Sequence, residues 1–137
     1  MPTYADVLTL HRYYIWANKF RTSFDNTIEA AANPHSNALI WFAEEGGMFL
    51  SYWYAALYVV IEGWAELGLH DAEVDALLVS PNVGYLKRYR NGVCHFQPEY
   101  LDERFLEMMR SPDSVEWVRS LNRAFGGFFL QTAGRPT

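Results

Sequence analysis

WYAALYVVIEGWAEL, residues 53–67, is apolar on almost every face of a helix and carries two carboxylates, Glu62 within the apolar run and Glu66 near its end. The pattern extends back to Met48, and Gly68 supplies a stop at its far end. A helix apolar all round belongs in a protein core or in a membrane. The uncharged run, residues 46–61, is shorter than the roughly 20 residues that span a bilayer. It also contains Ser51 and three tyrosines. It therefore reads as the central helix of a core, with its tyrosines and tryptophans packed inside.

Working outward, Val7, Leu10, Tyr14, Ala17, Phe20, Phe24 and Ile28 recur at spacings of three and four, the mark of one long amphipathic helix ended by Asn33-Pro34. The central helix starts near Asn37 and is interrupted at Gly46-Gly47. A short helix is expected over 71–78. Ser80-Pro81 then opens another, with Leu86, Tyr89, Val93 and Phe96 as its buried stripe and Pro98 as its stop. Residues 101–109 form a further short helix. Ser111-Pro112 opens the last one, carried by Val115, Val118, Leu121, Phe125 and Phe128 up to Gly134 and Pro136. Helices joined by short connections become antiparallel neighbours. The expectation is an all-α antiparallel bundle of four or five helices with short additional helices, in one domain spanning 1–137.

Half of the residues are apolar and 17% are aromatic, which excludes a disordered chain. The lone Cys94 allows no internal disulfide. With no secretory leader pattern and no membrane span in the sequence, a cytoplasmic location is expected. The net charge of −5 argues against broad electrostatic attachment to nucleic acid, so any such site must be local. His11, His35 and His70 share no ligand spacing and read as surface or cap residues, so neither metal nor other cofactor is expected.

One local site stands out. Residues 76–98 contain no acid, yet they hold Lys87, Arg88, Arg90 and His95, so the local field should be positive. At about 100° per residue, Asn91, His95 and Arg88 fall opposite the apolar stripe, with Arg90 on the flank. Asn91 and His95, four apart, are placed to touch. Cys94 and His95 point too far apart to act as nucleophile and base, and Cys94 reads as a partly buried small residue. Gly92 reads as a close-approach point for RNA or another helix, or as a merely tolerated glycine. Glu62 needs a cation or a proton in its apolar run. Arg90 or Arg88 is the expected partner, and a structural pairing with another basic group is the alternative.

Arg90-Asn91-Gly92-Val93-Cys94-His95 resembles the arginine, polar residue, spacer and histidine signature of HEPN domains, helical bundles that include many metal-independent ribonucleases acting as dimers. The resemblance extends to WYAALYVVIEGWAEL as central helix and LKRYRNGVCHFQPEY, residues 86–100, as motif helix. It implies RNA as substrate and Arg90, Asn91 and His95 as catalytic residues. Lys87 and Arg88 would bind the strand, and Glu62 would support the site. It also implies a homodimer and a toxin–antitoxin or phage-defence setting, with an antitoxin or regulatory protein as partner. Where one toxin branch carries a modifiable tyrosine two positions after the histidine, this chain has Gln97, so that mode of control does not carry over. Some HEPN domains keep the fold without activity. A non-catalytic RNA- or protein-binding module is therefore the alternative for the whole chain, and solvated surface residues are the alternative for the motif.

The chemistry suits those residue types. RNA is cut without metal when its own 2′-hydroxyl attacks the adjacent phosphate, which calls for a group that exchanges protons near neutral pH and a cation for the crowded phosphorane. Histidine fits the first role and arginine the second. On one helix Arg90 and His95 lie roughly 140° apart around the axis. A second copy related by a twofold axis would close the clamp, with aromatic burial elsewhere outweighing the repulsion between like charges.

Overall fold

Seven α-helices and no strand make up residues 1–30 and 38–133, which the computed structural model describes. They are α1 (Tyr4–Ala30), α2 (Ala38–Ala43), α3 (Glu45–Glu66), α4 (Ala72–Leu77), α5 (Asn82–Cys94), α6 (Glu103–Arg110) and α7 (Ser114–Ala133). The expected all-helical bundle is what the chain forms, with α1, α3, α5 and α7 long and the other three short. No helix among the described residues is long and apolar enough to cross a membrane. The expected stops at Asn33-Pro34 and at Gly134 and Pro136, the helix start near Asn37 and the reading of His35 lie outside the described residues.

The apolar run does become the central helix. Trp53, Leu57 and Val60 are buried completely or nearly so, and burying each such side chain contributes about 1.5–3 kcal/mol. Helix α1 runs antiparallel to α3, with Leu10 against Gly63 and Phe24 against Trp53. It is antiparallel to α7 as well, since His11 stacks on Phe129 and Asp25 reaches Arg119. His11 is thus half-buried in a ring stack, not a surface or cap residue. A polar chain ties the three helices together: Trp53 Nε1 donates to Asn122 Oδ1 at 3.0 Å, and Asn122 Nδ2 donates to Asn18 Oδ1 at 3.0 Å.

Several local expectations need correction. The chain breaks at Glu44, before the two glycines, and both glycines lie inside the first turn of α3. A Cβ on Gly47 would stand 2.2 Å from the Phe42 carbonyl oxygen, so the pair serves the fold-back of α2 onto α3. Gly68 does stop α3, at φ +64, where a side chain would be strained. Ile28 and Val115 are exposed and lie outside the core, and Phe129 joins Phe125 as a buried ring of α7. Helix α7 begins at Ser114, because 111–113 is a loop tied to α5. There Ser111 Oγ donates to Asn82 Oδ1 at 2.6 Å, and Asn82 Nδ2 donates to Asp113 Oδ1 at 3.0 Å.

Helices α5 and α6 form an antiparallel pair in which Phe105 lies against Tyr89 and Gly92. A Cβ on Gly92 would meet the Phe105 ring at 2.8 Å, whereas one on Gly84, in the same helix, would meet nothing within 4 Å. Gly92 is therefore a contact point for α6, which takes the place proposed for RNA. The Gly92→Ala variant should lose stability, because overpacking costs about 1–3 kcal/mol against roughly 1 kcal/mol gained in helix propensity. Gly84→Ala should gain about 0.4–1 kcal/mol. Urea denaturation of the two variants checks this, and shifts of the same sign would contradict the packing described.

Candidate functional site

Arg90 leaves α5 toward α3, where its guanidinium is held on three sides. Nη1 donates to Glu62 Oε1 at 2.8 Å, and Nε donates to Asn91 Oδ1 at 3.0 Å. The Tyr58 ring lies beneath it, 4.9 Å from the guanidinium carbon to the ring centroid. Tyr58 and Glu62 are one helical turn apart on α3, so a single face supplies both the ring and the carboxylate. Nη2 makes no hydrogen bond among the described residues and is the uncommitted edge of the fork. Burial and the Glu62 carboxylate raise the Tyr58 phenol above its ordinary range, while Arg90 partly offsets them. The phenol therefore stays neutral, as a cation–π floor requires.

Glu62 is paired with Arg90, but the reason differs from the one its sequence surroundings suggest. Its side chain is 46% exposed, at the edge of the apolar run, so the pair is a surface ion pair that orients Arg90 and does not rescue a buried charge. The positive field expected over 76–98 is also weaker than the acid-free sequence implies, because carboxylates arrive from other helices. Arg88 is paired with Glu107 of α6, whose hydrogen bond raises the already high pKa of the guanidinium. Lys87 is exposed and joins none of these pairs.

His95 stands apart from the other two motif residues. Helix α5 ends at Cys94, and His95 is the C-cap, with φ −125 and ψ 129, outside the last turn. Its N–H still bonds the Asn91 carbonyl at 3.1 Å, but its imidazole makes no hydrogen bond among the described residues. The expected side-chain contact with Asn91 is absent, since the Asn91 oxygen is taken by Arg90. Pro98 disfavours helical backbone at Gln97, and the Gln97 side-chain amide donates to the His95 carbonyl at 3.1 Å. Phe96 is 93% exposed and does not belong to the buried stripe; Cys94 is exposed too. In place of Phe96, Gly92 continues the buried side below Leu86 and Tyr89.

The structure thus brings Arg90, Asn91 and Glu62 together and leaves His95 and Lys87 outside the cluster. Sequence reasoning missed Tyr58 and Glu107. Tyr58 carried a signal, lying four residues before Glu62 on the same face. Glu107 carried none, because its place beside Arg88 depends on how α6 packs. Among the described residues no group of three His, Cys, Asp or Glu side chains is placed to hold a metal ion. In comparisons with known proteins, no family model, curated protein or solved structure matches the chain.

If the surface pair orients Arg90, Glu62→Gln and Arg90→Ala should each change stability by less than about 1 kcal/mol. A double-mutant cycle in urea should return a coupling of roughly 0.2–1 kcal/mol. Zero coupling would mean that the pair does not hold in solution.

Proposed function

We propose that the chain is a metal-independent endoribonuclease of the HEPN type, cutting single-stranded RNA at a composite site of a homodimer. The observation that carries this reading is Arg90. Its guanidinium is fixed by Glu62, Asn91 and Tyr58 with Nη2 uncommitted, five positions before an exposed histidine. A planar fork held in this way can accept a phosphate oxygen without first losing side-chain freedom.

In the proposed reaction the 2′-hydroxyl gives its proton to an imidazole and attacks phosphorus. Arg90 stabilises the phosphorane as the bond to the 5′-oxygen breaks, and that oxygen takes the proton back from the imidazolium. The products are a 2′,3′-cyclic phosphate and a 5′-hydroxyl. Within one chain the imidazole makes no contact with the Arg90 cluster, which favours a site that pairs this cluster with His95 of a second copy. Phe96, adjacent to His95 and almost wholly exposed, supplies an apolar anchor for such a contact.

The second reading, a non-catalytic RNA- or protein-binding module, is favoured by a different observation: Arg88 and Arg90 each already face a carboxylate. Cleavage assays separate the two. Purified protein incubated with single-stranded RNA in EDTA should yield cyclic-phosphate ends, and both Arg90→Ala and His95→Ala should remain folded and lose at least about 100-fold in rate. Intact RNA with the wild-type protein favours the binding module. A strict Mg²⁺ requirement or 5′-phosphate products would refute the mechanism.

The dimer has its own test. Phe96→Ser should weaken self-association in analytical ultracentrifugation and reduce cleavage, with little change in monomer stability because the ring is exposed. A protein that is monomeric at every concentration and cleaves RNA at a rate linear in protein would remove the composite site.

A further inference from the structure

Away from α5, an open cleft of about 370 Å³ lies between α1 and α7, lined by Tyr14, Asn18, Arg21, Arg119, Asn122 and Arg123. The α1 residues follow spacings of four and three, and the α7 residues fall within one turn, so each trio shares a helix face. None of the six is acidic. The nearest carboxylate is Asp25, which accepts from Arg21 Nη1 at 2.7 Å and from Arg119 Nη2 at 2.7 Å. Hydrogen bonding and charge from these arginines hold its carboxyl below the ordinary range, so it remains an anion. Three guanidiniums against one carboxylate still leave excess positive charge, in a chain whose net charge is −5.

The walls of this cleft are already ordered. Asn18 Oδ1 accepts from Arg21 Nε at 2.8 Å and from Asn122 Nδ2 at 3.0 Å, and the Arg119 guanidinium sits 5.4 Å from the Trp53 ring centroid. Donors remain to be used. Arg123 is exposed and, among the described residues, bonds only Ser120 Oγ, at 3.3 Å. The Tyr14 hydroxyl, standing over Gly126, makes no hydrogen bond among the described residues. We infer that this cleft binds a phosphoryl group, carried either by a small phosphorylated ligand or by an RNA backbone. Arg21 donates through Nε, Nη1 and Nη2 to Asn18, Asp25 and Thr22, and Arg119 is paired with Asp25. Arg123 and the Tyr14 hydroxyl therefore supply the donors to the phosphoryl oxygens, while the other two guanidiniums add positive charge. The cleft lies within the size range of small-ligand sites, and its fixed side chains lower the ordering cost of binding. The inference does not rest on the ribonuclease reading, since no residue of α5 lines the cleft.

Calorimetric titration of the full chain with pyrophosphate tests it. Arg21 and Arg119 carry the Asp25 ion pairs, so Arg123→Ala, which removes an exposed side chain, is the informative variant. It should weaken pyrophosphate binding at least about tenfold with the melting temperature unchanged, and Arg123→Glu should abolish it. Arg90→Ala should leave it intact. No binding by the wild type, equal binding of chloride, or unaltered binding by a folded Arg123→Glu protein would overturn the inference. Competition by single-stranded RNA against pyrophosphate in the Arg90→Ala background identifies RNA as the source of the phosphate. Competition by a 5′-mononucleotide but not by RNA identifies a small ligand, and either result supports the site.

Discussion

Trp53 is 1% exposed, and an indole N–H left unpaired at that depth costs about 1–3 kcal/mol. Asn122 supplies the acceptor, which brings α7 against α3 with a polar side chain turned inward. The Asn122 amide then needs an acceptor of its own and finds it on Asn18, which sets the register of α1 against α7. Much of the rest follows from that chain of obligations. Arg21 is drawn to Asn18, Asp25 is held between Arg21 and Arg119, and Phe129 comes to stack on His11. The hydrogen bonds from Trp53 to Asn122 and from Asn122 to Asn18 favour one register of these helices over its neighbours.

The α5–α6 pair attaches to the central helix through α5. Tyr89 is fully buried, and its hydroxyl shares a hydrogen bond with Ser51 at 2.8 Å. Burial raises its pKa far above the ordinary tyrosine range, so it stays neutral. The neighbouring Arg90 rests on the buried Tyr58 ring and is paired with the half-exposed Glu62. One residue of α5 secures the helix and the next presents a cation, and both depend on the face of α3 that carries Ser51, Tyr54, Tyr58 and Glu62. A charge placed in this way is oriented without being buried, and it keeps an edge free for an anion.

Helix content was readable because periodicity and stop signals act locally: Asp71 caps α4 through the Glu73 and Val74 amides, and Gly68 ends α3 in the left-handed region. The Glu62–Arg90 pair was readable because a carboxylate inside an apolar run demands a cation, although the actual exposure of Glu62 was not. What failed was whatever depended on tertiary approach. Phe96 continued the apolar stripe in sequence, yet the chain had already left the helix at Cys94. The acid-free stretch looked electropositive only while α3 and α6 were out of view. Asn18, Arg21, Arg119 and Asn122 gave no signal, since polar residues inside amphipathic helices read as solvent-facing until their partners across the bundle are known.

A single peptide unit joins the exposed imidazole of His95 to the almost wholly exposed ring of Phe96, so a surface that grips the ring also limits where the imidazole can reach.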